Sequence, residues 1–152
     1  MTPLWALRTR LHLRGADRGS GALALILAAM LFMVIAGFII DTGRAIHQRE
    51  RAADVAEQAA RYAANHISAA GLRNGGTVVI DSTGCTGNVQ AFVRESGFGG
   101  DDISASSCLA AAGNQVTVRV RLTYTPLLLS ALSHGGSLTV WGTATAQAVQ
   151  EQ

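Results

Sequence analysis

The two cysteines, Cys85 and Cys108, are the residues of this chain best suited to covalent chemistry. About two dozen residues apart in a small segment, they read as a disulfide stabilising by roughly 3 kcal/mol in the chain-entropy account, with two buried thiols as the alternative. A metal centre does not fit. There is no C-x-x-C, and the histidines at 12, 47, 66 and 134 are scattered along the chain. Asp101-Asp102 lacks the alternating acidic pattern of a calcium loop and reads as a pair of solvated loop carboxylates. Asp81 and Glu95 are imaginable as an acid and base pair, but each has an ordinary place, at an element end or on a solvated helix face. No nucleophile elbow and no phosphate-binding glycine loop occurs, and Gly97-x-Gly99-Gly100 is a flexible loop. The expectation is a protein with no catalytic residue, no cofactor and no metal site.

The elements that position these residues are dominated by Gly19 to Ile40, which no charged or amide side chain interrupts. As a helix it covers roughly 33 Å, close to the thickness of a bilayer hydrocarbon core. A cleaved signal peptide would have a shorter apolar region ending in a small-x-small site, whereas this one ends in Phe-Ile-Ile-Asp. A retained transmembrane helix is expected over 19–40, preceded by a basic cytoplasmic tail over 1–18. Arg8, Arg10, Arg14 and Arg18 in that tail alternate with Trp5, Leu7, Leu11 and Leu13, so the tail either lies on an anionic leaflet or is solvated.

Helical signal continues past Ile40. An Ala-rich stalk is expected over 41–70, which has no proline and, apart from Gly43, no glycine. Ala45, Ala52 and Ala59 repeat every seven residues, as do Ala56, Ala63 and Ala70. That spacing makes a narrow seam suited to close packing against a partner helix, with Glu57 and Arg61 paired on another face. Ala24 and Ala28 form a further small-xxx-small pair inside the span. Asp41 and Arg44 lie one turn apart at the membrane junction, where they would pair with each other or with a neighbouring subunit, or serve as an interfacial cap.

Residues 71–152 are expected to form a small extracytoplasmic α+β module, an antiparallel sheet with a short helix on one face. Asn74-Gly75-Gly76 is a turn, 77–81 a short strand and 87–96 an amphipathic helix carrying Val89, Phe92 and Val93, followed by a loop to about Ser107. Val116, Val118, Val120, Leu122 and Tyr124 alternate with Thr117, Arg119, Arg121 and Thr123, the cleanest strand pattern in the chain. Thr125-Pro126 ends it. Leu127 to Leu132 is then a short apolar turn or helix, and a last strand runs from Ser137 to about Val149.

Of the 152 residues, 49% are hydrophobic and 5% aromatic, so the core outside the span must be light. The formal net charge is +2 and the arginines are dispersed, which gives no nucleic-acid footprint. Orientation is read with the N-terminus cytoplasmic. Four arginines precede the span, the first charge after it is acidic, and the cysteine pair suits an oxidising compartment.

The run Asp41-Thr-Gly43-Arg44, then Arg49-Glu-Arg-Ala52-Ala-Asp-Val-Ala-Glu-Gln-Ala-Ala-Arg61, behind a span opened by Arg18-Gly-Ser20, resembles the TadE/TadG-like proteins of tight-adherence (Flp) pilus assembly, especially their actinobacterial members. The distal module is similar in plan only. This resemblance implies a minor pilin-like or accessory protein in the cell membrane, single-pass, with a pilin-like plan. Its implied partners are the lipid bilayer, other subunits of a pilus or secretion machine, and further copies of itself through the N-terminal helix. Prepilin peptidase substrates are usually cut after a glycine and keep Glu at the fifth mature position; a cut after Gly15 would place Ser20 there. The alternative expectation is a membrane-anchored extracytoplasmic ligand-binding or sensing protein.

Overall fold

The computed structural model describes residues 19–68, 73, 78–132 and 135–148. The tail over 1–18, Ala70, His134 and the Asn74-Gly75-Gly76 turn lie outside the described residues. The chain divides into two compact units, 1–39 and 40–152. A single helix, α1 (Ser20–Ala64), runs through both. It has the apolar and alanine-rich composition that sustains helix, and no proline. In the first unit no described residue is buried: Leu25, Phe32 and Met33 are each more than 70% exposed. This apolar surface has no protein core to enter, which suits a helix solvated by lipid.

In the second unit the C-terminal half of α1 is a core helix. Ala52, Val55, Ala56, Ala59, Ala60, Ala63 and Ala64 are buried. Their partners in the core include Val89 and Val93 of α2 (Cys85–Glu95) and the inward residues of β2 (Gln115–Tyr124): Val116, Val118, Val120 and Leu122. Small side chains on the helix let its backbone come down onto the sheet. The approach is tight at Gly142 of β3 (Leu138–Gln147), where an added Cβ would lie 2.1 Å from the carbonyl oxygen of Ala52. The expectation of an alanine seam for a partner helix therefore meets a different finding: Ala52, Ala56, Ala59 and Ala63 are covered by this chain's own module, and Ala45 is half-buried. Sequence spacing shows that such a face exists, but not what covers it. The helix ends at Ala64, short of the expected 70. There Asn65 and His66 turn the backbone away, and the His66 ring lies 2.8 Å from the Tyr62 carbonyl.

The sheet is antiparallel in the order β1-β2-β3, with β1 at Ser107–Ala112. The α+β expectation holds, including the strand at 116–124, which extends to Gln115, and the closing strand. Two local expectations are corrected, and one strand is new. Residues 78–81 contribute no named strand, Thr77 lying outside the described residues; Ile80 forms only an isolated bridge with Ile67, and its N–H is taken by the Gly113 carbonyl at 2.9 Å. The loop to Ser107 contains a short helix, α3 (Gly100–Ala105). Ser107 to Ala112 is a strand despite its alanines, since the free edge of β2 offers it a ladder. Gly113, at φ +58°, supplies the left-handed residue that turns β1 into β2.

Candidate functional site

Asp41 is the first charged residue after the apolar run. Its carboxylate accepts the backbone N–H groups of Leu127 at 2.6 Å, Leu128 at 2.8 Å and Leu129 at 3.0 Å. These open α4 (Leu127–Leu132), directly after Pro126, whose ring is fully buried. A helix start leaves its first N–H groups without intrahelical acceptors, and an N-cap side chain usually serves them locally. Here proline occupies the preceding position and has no side-chain oxygen. The cap is supplied from 86 residues away, by a short carboxylate whose two oxygens divide three donors. Asp41 thus joins the segment between β2 and β3 to the foot of the core helix. Arg44 and Gly43 remain exposed on α1. A Cβ at Gly43 would meet nothing within 4 Å, so packing inside the chain does not demand glycine there.

The second cluster centres on Asp102, expected as a solvated loop carboxylate and in fact only 6% exposed. β1 pairs with β2 only as far as Arg119. Beyond that point the β2 edge is completed by side chains: the Ser106 hydroxyl accepts from Arg121 N–H at 3.1 Å, and Asp102 accepts from Thr123 N–H at 2.8 Å. Asp102 also accepts from the Thr123 hydroxyl at 2.7 Å and pairs with the Arg121 guanidinium at 2.9 Å. Burial pushes this carboxyl up. The Thr123 and Arg121 hydrogen bonds, with the Arg121 charge, outweigh it and hold the group below the usual aspartate value. Gly99, Asp101, Ser137 and Thr139 line the neighbouring depression together with Asp102, Arg121 and Thr123, and these last three are bonded to one another.

Cys85 and Cys108 form a disulfide, with Cα atoms 5.8 Å apart, tying the start of α2 to β1. Asp81 accepts the N–H and hydroxyl of Thr83, and these bonds hold its carboxyl below the ordinary value; it shapes the turn entering α2 and does not pair with Glu95. Glu57 and Arg61 form the expected ion pair on an exposed face. Among the described residues no three His, Cys, Asp or Glu side chains gather into a metal-binding group.

A long, exposed, apolar N-terminal helix followed by a small disulfide-bonded α+β module is the architecture consistent with a membrane-anchored protein. Residues 19–66 match the Tad family model, Flp pilus-assembly TadE/G-like. The likeness carried by the junction run is therefore shown over the stretch that begins with the apolar residues and ends two residues past α1. No curated protein and no solved structure matches the chain.

Proposed function

We propose that this protein is a single-pass membrane component of Flp-type pilus assembly, minor pilin-like or accessory, with its N-terminus in the cytoplasm and its module outside. The observation that carries the reading is that the family match coincides with one helix holding the exposed apolar run, the Asp41-to-Arg44 junction and the module's core face. The matched family is one of Flp pilus-assembly components. Association with other machine subunits, and with further copies of this chain, falls to the surfaces its own fold leaves open: the 20–40 part of α1, with Ala24 and Ala28, and the exposed Gly43 and Arg44. The disulfide supports the outward placement of the module, because such bonds persist in oxidising compartments.

Crosslinking in the intact membrane, followed by identification of the attached peptides, tests the reading. Pilus motor, platform or pilin subunits joined to residues 20–44 are the expected result. Recovery of an uncrosslinked monomer from cells assembling Flp pili would overturn it and favour the sensing alternative.

A further inference from the structure

The short helix α4 exposes leucine where a solvated helix would show polar residues: Leu127 is 60% exposed and Leu132 70%. The sequence of this helix, Leu-Leu-Leu-Ser-Ala-Leu, has no charge on any face. Its place in the fold is equally specific. Its first three N–H groups are bonded to Asp41, one residue beyond the apolar run that ends at Ile40. The same end of the sheet carries the pair Tyr124 and Leu138, the latter 41% exposed. The start of α4 is thus within hydrogen-bond distance of the residue that follows the apolar run. The polar interfacial layer there is several ångströms deep on each side of the core.

We propose that α4, capped by the residue that follows the apolar run, is a second membrane contact of this protein, lying in the interfacial layer of the bilayer with Leu127 and Leu132 turned into lipid. The inference rests on residues 19–40 spanning the membrane. An uncharged apolar helix suits that depth once its open N–H groups are capped, and Asp41 supplies the cap from the polar interfacial layer. Tyr124 at the adjoining strand end suits the headgroup level, where aromatic side chains with a polar tip concentrate. Exposed Arg44, one turn beyond Asp41, is positioned for lipid phosphates.

The test uses the full chain in phosphatidylethanolamine and phosphatidylglycerol vesicles, with one nitroxide attached at Leu132→Cys, Leu127→Cys, Phe32→Cys or Glu95→Cys. Because the native cysteines are closed in their disulfide, each introduced thiol is the only free one. Labels at 32, 127 and 132 are expected to collide preferentially with dissolved oxygen, and the label at 95 with a water-soluble nickel chelate. Nickel accessibility at 127 and 132 equal to that at 95, with 32 still in lipid, overturns the second contact and leaves the span intact. Water accessibility at 32 overturns the span and the inference with it. Dipolar broadening between labels at 132 would show a second copy covering the leucines, and would also overturn the proposal.

Discussion

Asp102 shows how one side chain completes a sheet that its neighbouring strand leaves unfinished. Removing its charge in Asp102→Asn leaves Arg121 without its ion pair and weakens the bonds from Thr123; a loss of about 2–3 kcal/mol in denaturant unfolding is expected. The native carboxyl lies below its unfolded value, so its contribution is present above the unfolded aspartate pKa and is lost as pH falls through the native one. The stability gap between wild type and Asp102→Asn is therefore expected to be full at pH 7 and to shrink below about pH 4. Gly142 is limiting for a steric reason. Gly142→Ala would drive a methyl group into the Ala52 carbonyl, and since main chain lies on both sides, no side chain can yield. A thermal or denaturant unfolding experiment should register a loss of about 3 kcal/mol, the upper end for overpacked sites.

At the scale of elements, α1 has two solvents along its length. Its 20–40 part presents large apolar side chains outward, and its 52–64 part buries alanines against β2, β3 and α2. Asp41 stands between these parts and fixes α4. Asp41→Ala is expected to remove the cap, at a cost of about 1 kcal/mol to α4, so that the amides of Leu127 to Leu129 exchange with solvent about fivefold faster while those of β2 are unchanged. Equal acceleration throughout 40–152 would instead make Asp41 part of the module's global stability. The disulfide works at this scale too, since it anchors an alanine-rich edge strand whose side chains bury little surface of their own.

For the whole molecule, one helix carries both the exposed apolar run and, farther along, the module's core face. Orientation is the property to test at this scale. A reporter enzyme that is active only outside the cytoplasm should be active when fused after Gln152 and inactive when fused before Met1. The reverse pattern would place the cysteine pair in a reducing compartment and invert the proposed topology.

Much of this was readable from residue order. The uninterrupted run from Gly19 to Ile40, the strict alternation from Val116 to Tyr124, the cysteine pair and the junction run are local patterns, and local sterics and hydropathy determine what such patterns become. Their consequences appear in α1, in β2, in the disulfide and in the family match over 19–66. The rest depended on which surfaces meet. Ser107 to Ala112 carries no strand signal and becomes one only because β2 has an unpaired edge. Asp102 looks like any loop carboxylate until Thr123 and Arg121 are brought to it. The alanine seam was legible as a packing face, but spacing cannot distinguish a partner helix from the chain's own sheet. Asp41 was legible as a junction residue. That it caps a helix beginning 86 residues later is a tertiary fact, because a carboxylate's hydrogen-bond partners are set by the fold that brings distant backbone N–H groups within 3 Å, and no sequence window contains both ends.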